Sequence, residues 1–198
     1  MNDKNKPIII GTILLIACVI ILVVVMSIKG NSNTDTNSFK SSSDVKKMVK
    51  SIYNELGDKL PELAFQNVDT SLDSLKSYTG LSDNSNIDFM VVSEPEMNAQ
   101  AYSLVALKVK DASKIESMKQ EMYDNIDMAK WICVSAEKLY ITNSGDLIFM
   151  VMSVDEWATP VYNSFKKYVN NNIGKELTKD EGENNKLPDE LLQTPEDN

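Results

Sequence analysis

The stretch KLYITNSGDLIFMVMS, residues 138–153, decides the fold of this chain. Lys138–Thr142 and Leu147–Ser153 are rich in β-branched, aromatic and other large apolar residues, and each predicts a strand. Between them, Asn143–Asp146 has the Asn and Gly residues that a tight hairpin turn favours. The segment therefore predicts an antiparallel β-hairpin in which Leu147–Ser153 is a core strand.

A second hairpin is predicted earlier in the chain. Ile87–Ser93 has the composition of a buried strand, Ala99–Lys110 predicts a longer one, and the polar segment Glu94–Asn98 turns the chain between them. Each hairpin leads into a predicted helix, with Asp111 as the cap of the first and Asp155 as the cap of the second. The two strand–strand–helix units match only in pattern, so they indicate a pseudo-repeat and no more.

Two further helices are predicted before the hairpins. Ser43 or Asp44 can cap the first, whose apolar positions follow helical spacing until Gly57. A shorter helix follows and ends at Gly80. This order of elements predicts an α+β domain, with a mainly antiparallel four-stranded sheet and helices on one face.

An apolar run near the start of the chain, Pro7–Ile28, contains no charged residue. At about 1.5 Å per residue it reaches the hydrocarbon thickness of a bilayer, roughly 30 Å, and therefore predicts a transmembrane helix. Lys4 and Lys6 precede the run, and a short basic tail tends to stay in the cytoplasm. We therefore expect an N-terminus inside the cell and a chain that is extracytoplasmic after Lys29.

The segment Leu15–Cys18, LIAC, offers an alternative because it resembles a bacterial lipobox, in which the cysteine is lipidated. Residues 19–28 would then stay on the mature chain as an apolar half-helix, where lipoproteins usually have a polar tether. An uncleaved helix that contains Cys18 as a small apolar residue is favoured, with lipidation of Cys18 as the minor alternative. A cleaved signal peptide is disfavoured because no small-residue cleavage site follows the run.

These features predict that the chain has four parts. Residues 1–29 are the cytoplasmic tail and transmembrane anchor, 30–42 a flexible tether rich in Ser, Thr and Asn, and 43–170 an extracytoplasmic α+β domain. Residues 171–198 are polar and acidic, and we expect them to be disordered. Leu187–Leu192 could dock on a partner as one helical turn, but a solvated tail is favoured.

The composition argues against several kinds of chemistry. The formal net charge of −9 is a poor match to nucleic acid or anionic lipid head groups, because an acidic domain repels both. The chain contains no histidine, which excludes His-dependent catalysis and His-ligated metals within one chain. No nucleotide-binding motif is present, so no cofactor is predicted. Cys133 has no soluble cysteine partner, and we expect a buried, inert thiol.

Three groups of side chains suggest a site but have simpler explanations. The loop Asp83–Asp88 offers oxygen ligands, but it lacks the residue order of a calcium-binding EF-hand. Glu94 and Glu96 resemble the paired carboxylates of glycosidases, but solvated turn charges are the expected role. Trp131 and Trp157 are expected to cover the core rather than to bind carbohydrate or protein.

Several short motifs together indicate a family. They are the LPEL turn at Leu60–Leu63, the L-x-x-Y-x-G-L stretch at Leu75–Leu81, the acidic-Met turn at Glu94–Asn98, and Leu104–Lys110 running into a helix, followed by the late hairpin. With these, residues 45–168 resemble the uncharacterised Gram-positive bacterial family called domain of unknown function 4358. The resemblance implies a lipoprotein or membrane-anchored extracytoplasmic domain, and it implies no activity or catalytic residues.

The sequence thus predicts a non-enzymatic, single-pass membrane protein whose outer domain binds another envelope protein or a cell-wall component. The apolar run, the tether and the lack of catalytic motifs favour this hypothesis. One alternative is a cell-wall hydrolase that uses carboxylates alone, which would need two of them facing each other in a cleft. Another is a module that senses a small ligand, which would need a closed apolar pocket.

Overall fold

The computed structural model describes residues 39–97 and 99–182. These residues form four α-helices and six β-strands. The helices are α1 (Ser42–Leu56), α2 (Leu72–Thr79), α3 (Ile115–Asn125) and α4 (Asp155–Tyr168). The strands are β1 (Leu63–Phe65), β2 (Ile87–Pro95), β3 (Tyr102–Val109), β4 (Lys138–Ser144), β5 (Leu147–Ser153) and β6 (Leu177–Asp180).

All six strands belong to one antiparallel sheet, in the order β1-β2-β3-β5-β4-β6. Both predicted hairpins are confirmed, because β2 pairs with β3 and β4 pairs with β5. The two hairpins join through β3 and β5, which run in register from Tyr102 opposite Ser153 to Lys108 opposite Leu147. The α+β class and the antiparallel sheet are therefore as predicted.

The prediction of four strands is wrong because it missed two short edge strands. On one edge, β1 pairs with β2 and places Ala64 opposite Glu94. On the other edge, β6 pairs with β4 and places Thr178 opposite Tyr140. These strands are only three and four residues long, and neither contains a buried residue. They therefore lack the apolar pattern by which a strand is recognised.

The predicted domain end at residue 170 is also too early. After α4 the chain reverses through Asn170 and Asn171, both at positive φ, which asparagine tolerates better than most residues. The Gly174 amide then donates to the Asn143 carbonyl at 2.8 Å, and β6 follows. Residues 171–182 therefore belong to the folded domain rather than to a tail, while residues 183–198 lie outside the described part.

Helices cover both faces of the sheet, whereas the sequence interpretation placed them on one. Along β3, Leu104 and Ala106 pack with α1 and α4, while Val105 and Leu107 pack on the opposite face with α2 and α3. Every residue of Leu147–Ser153 is buried. A continuous apolar run of this kind belongs to a strand that is covered on both sides.

The layer on the α2 and α3 face depends on a close contact at Gly80. This residue ends α2 in the left-handed conformation, and its amide donates to the Lys76 carbonyl at 2.9 Å. A Cβ atom at Gly80 would lie 2.8 Å from backbone atoms of Asn125 and Ile126. Glycine therefore allows the end of α2 to meet the end of α3.

The candidate transmembrane segment 7–28, with Cys18, lies outside the described residues. So does the tether up to residue 38. Within residues 39–97 and 99–182, no helix combines the length and the apolar character needed to cross a bilayer.

Candidate functional site

A groove with a volume of about 790 Å³ lies between α2 and the chain that follows α3. On one side α2 contributes Leu72, Asp73 and Lys76, and on the other side Asp127 and Lys130 complete the wall. The contact at Gly80 places these two walls next to each other. The groove is therefore a consequence of how α2 and α3 end.

Two smaller hollows continue from this groove, and each shares lining residues with the one before it. One, of about 180 Å³, shares Ser77 and Lys130 with the large groove. The other, of about 380 Å³, shares Tyr78 and Glu94 with the first hollow and reaches edge strand β1 at Phe65. We call the combined surface the Lys130 groove, defined by Leu72, Lys76, Tyr78, Glu94, Lys130 and Ile132.

Lys130 is the centre of this surface. Its Nζ donates to Glu94 Oε1 at 2.6 Å and to Ser103 Oγ at 3.3 Å. The same nitrogen lies 4.9 Å from the ring centroid of Tyr78 and 5.3 Å from that of Trp131. The side chains of Lys130 and Glu94 are only 17% and 16% exposed. This ion pair is therefore shielded from water and held more firmly than a surface pair.

Tyr78 adds a polar group beside the ion pair. Burial, and to a lesser extent the negative charge of Glu94, raise the pKa of the Tyr78 phenol above its usual value. The hydroxyl group is therefore protonated at neutral pH and remains a hydrogen-bond donor. Tyr78, Glu94 and Lys130 together give the groove a polar centre with a fixed geometry.

Exposed apolar side chains border the Lys130 groove. Leu72 and Ile132 line it and are 51% and 70% exposed, and Met97, which is 68% exposed, directly follows the lining residue Glu96. Among the described residues, Tyr168 is the remaining large apolar side chain with high exposure. Clustering of exposed apolar side chains around polar ones is typical of an interaction surface.

The structure separates the two glutamates that the sequence placed together. Glu94 is half-buried and paired with Lys130, so the expectation of a solvated charge is wrong for this residue. Glu96 is exposed, as expected for a turn charge. Trp131 and Trp157 both pack against the core, as predicted, and Trp131 also lines the groove.

Two other candidates have different outcomes. Cys133 was expected to be buried, but it is exposed, because the loop after α3 carries it outward at a positive φ. In the Asp83–Asp88 loop, Asp83 accepts hydrogen bonds from the amide and hydroxyl of Ser85, both at 2.8 Å, so its carboxylate stabilises a turn. Within the described ranges, no group of three or more His, Cys, Asp or Glu residues could hold a metal ion.

The chemistry of the groove favours binding. Glu94 Oε1 is already engaged by the Lys130 ammonium, and the carboxylates of Asp73 and Asp127 on the walls are exposed. Glycosidase-type catalysis needs a carboxyl group shielded from water and a second one facing it. Exposed apolar side chains beside a shielded ion pair instead suit the binding of a partner surface.

The sequence did not point to Lys130 as a candidate site residue. Its partner Glu94 lies 36 positions away in the chain, so no local pattern joins them. The neighbouring Trp131 was the one available signal, because aromatic residues are enriched where proteins bind one another.

Comparisons of the chain with protein-family models, with curated proteins and with solved structures found no match.

Proposed function

We propose that this protein is a single-pass, membrane-anchored binding module of the bacterial cell envelope, whose Lys130 groove holds a segment of another envelope protein. Residues 7–28 would supply the anchor and residues 30–42 the tether, with lipidation of Cys18 as the alternative form of attachment. The observation that carries the binding function is the exposure of Leu72 and Ile132 beside the shielded ion pair of Lys130 and Glu94.

The exposed apolar side chains indicate which partner surface would fit. An aliphatic side chain packed against Leu72 or against Ile132 would remove apolar area from water, at roughly 25 cal/mol per Å². Lys76 lines the same groove and makes no ion pair with any residue in the described ranges. A carboxylate next to the aliphatic anchor would complement this lysine and help to set the register.

A carboxylate-dependent cell-wall hydrolase is the second candidate, because Glu94 is a shielded carboxylate in a groove. The binding function is preferred because Lys130 occupies Glu94 Oε1 at 2.6 Å. A hydrolase would show turnover of cell-wall material that stops when Glu94 is replaced by glutamine.

The binding function is tested by photo-crosslinking in intact cells from single positions. We expect a photoreactive residue at Ile132 or Leu72 to capture the same specific neighbour, identified by mass spectrometry. The matched control is a photoreactive residue at Tyr168, which is exposed on α4 in the opposite helical layer. Capture of the same neighbour from Tyr168, or of no specific neighbour from the groove, would contradict the proposal.

Substitution provides a second test. Ile132→Ser and Leu72→Ser change exposed side chains, so they should leave the fold intact while weakening capture about tenfold, as expected for loss of an apolar anchor. Tyr168→Ser is the matched control and should leave capture unchanged. A circular dichroism spectrum identical to that of the wild type would exclude misfolding as the cause.

A further inference from the structure

The positive charges of this acidic chain are not evenly distributed. Between residues 40 and 50 there are four lysines and one acidic residue, although the formal net charge of the whole chain is −9. Three of these lysines lie on α1, the first helix of the described domain. A value averaged over the chain therefore hides a basic surface, which consists of Lys40, Lys46, Lys47 and Lys50.

Two of these lysines are held in place by an aromatic ring. The ammonium groups of Lys46 and Lys50 lie 5.5 and 5.9 Å from the ring centroid of Phe65 on edge strand β1. Their aliphatic stems can cover the ring while the charged ends point toward water. Lys47 lies 3.9 Å from Asp44, a long and exposed contact that neutralises little of its charge. We call this surface, with Phe65, the α1 patch.

The α1 patch is also the part of the domain nearest in sequence to the apolar run. Lys40 follows Ile28 by twelve residues, a distance that an extended chain spans in about 40 Å and a flexible polar one in roughly 20 Å on average. The patch lies on the α1 and α4 side of the sheet, whereas the Lys130 groove lies on the α2 and α3 side. Phe65 on edge strand β1 borders both surfaces, but α2, which carries Leu72 and Lys76 of the groove, lies in the layer opposite the patch.

We propose that the α1 patch binds anionic lipid head groups of the bilayer that anchors the chain. The inference relies on the proposed anchoring through residues 7–28. Each lysine near an anionic surface favours contact about fivefold. Carboxylates that lie more than about 8 Å from the bilayer are largely screened at physiological ionic strength, so they oppose this attraction little.

Lysine acylation followed by mass spectrometry tests the contact in the full chain. The chain is reconstituted in vesicles of phosphatidylcholine, with or without phosphatidylglycerol. We expect acylation of Lys46, Lys47 and Lys50 to slow several-fold in the anionic vesicles and to recover when salt is raised. Acylation of Lys110 and Lys114, which lie at the end of β3 and in the turn before α3, should be the same in both.

Matched variants distinguish an effect of the α1 patch from an effect of the overall charge of the chain. K46Q/K47Q/K50Q should abolish the difference between anionic and neutral vesicles, measured as acylation of the remaining Lys40. The variant K110Q/K114Q/K179Q, which removes the same amount of charge elsewhere, should retain it. Circular dichroism confirms that both variants fold.

Two outcomes would overturn the inference. One is equal acylation of the patch lysines in neutral and anionic vesicles. The other is protection by soluble polyphosphate without protection by anionic vesicles, which would exclude lipid as the occupant. Flotation with vesicles tests the anchor separately. If the chain floats but its patch lysines are not protected from acylation, only the lipid contact of the patch is disproved. A chain that does not float disproves the anchor.

Discussion

At the scale of single residues, Gly80 determines the geometry of the candidate site. Its positive φ of 75° ends α2, and its missing side chain lets the backbone of Asn125 and Ile126 approach. The sequence predicted the first role, because a glycine after a helical pattern is a local signal. It could not predict the second, because the contacting residues lie far along the chain.

We expect Gly80→Ala to lower the free energy of unfolding by about 3 kcal/mol or more, because strain at positive φ adds to a backbone clash. Gly145→Ala is the matched control: Gly145 also has a positive φ, of 57°, but its added Cβ would meet nothing within 4 Å. It should cost about 1 kcal/mol. Urea unfolding measures both, and equal losses would show that the contact with α3 contributes nothing.

A second prediction concerns Glu176, which precedes β6. Tyr162 Oη donates to Glu176 Oε1 at 2.5 Å, and Lys166 Nζ donates to the same oxygen at 3.3 Å. The hydrogen bond from Tyr162, followed by the Lys166 interactions, lowers the pKa of Glu176 in the folded state. Ionised Glu176 therefore stabilises the fold fully above the pKa of an unfolded glutamate, about 4.3. This stabilisation is lost as the pH falls through the lower pKa of Glu176 in the folded state.

We expect the wild type to lose more stability than Glu176→Gln between about pH 6 and about pH 3. Tyr162→Phe should show the same reduced dependence, because it removes the main cause of the shift. Urea unfolding over a pH series gives the slopes. Parallel slopes for all three proteins would mean that Glu176 titrates alike in the folded and unfolded chain.

At the scale of elements, the hydrogen bonds of Lys119 connect the segment before the short strand β6 to α3. The Lys119 side chain is fully buried on α3. Its Nζ donates to the Asn143 side chain at 2.8 Å, to the Lys175 carbonyl at 2.7 Å and to Glu116 at 2.7 Å. A buried ammonium requires such partners, so this group joins α3, the end of β4 and the segment before β6.

We expect Lys119→Met to cost about 2 kcal/mol, because the part-buried Asn143 and Lys175 oxygens lose a charged hydrogen-bond donor. Amide hydrogen exchange followed by mass spectrometry should show β6 losing more protection than the β2–β3 hairpin. Lys114→Met, at an exposed position just before α3, is the control and should change little. Unchanged protection of β6 would mean that its pairing with β4 does not depend on Lys119.

Elements were predictable where the signal is local. Both hairpins carry it, because turn residues lie between apolar segments that are adjacent in the chain. Strands β1 and β6 carry no such signal, and long-range pairing alone defines them. The cover on both faces was predictable from Leu147–Ser153, since a strand without polar alternation has no solvent face. The Lys130 groove was not predictable, because segments that are distant in the chain form it.

At the scale of the whole molecule, the structure moves the domain boundary. We expect a fragment of residues 39–182 to be soluble without detergent and to unfold cooperatively, because both helical layers and all six strands lie within it. A fragment ending at residue 172 should melt at lower temperature or over a broad range, since it lacks β6 and the Lys175 carbonyl. Thermal circular dichroism compares the two.

The fragment of residues 39–198 is the control for this comparison and should match 39–182. A fragment ending at 172 that melts like the longer ones would restore the boundary near residue 170 that composition suggested. A broad transition for 39–182 itself would mean that segments outside the described residues contribute to the fold.

The hydrogen bond from Lys119 to the Lys175 carbonyl also bears on the order in which the chain folds. The β2–β3 and β4–β5 hairpins can nucleate as soon as each is synthesised, because their contacts are local. The Lys119 ammonium loses water when α3 docks, yet one of its three acceptors arrives 56 residues later. We therefore expect the pairing of β6 to complete the fold, and we expect a chain truncated before β6 to remain partly open and to be cleaved more readily by proteases.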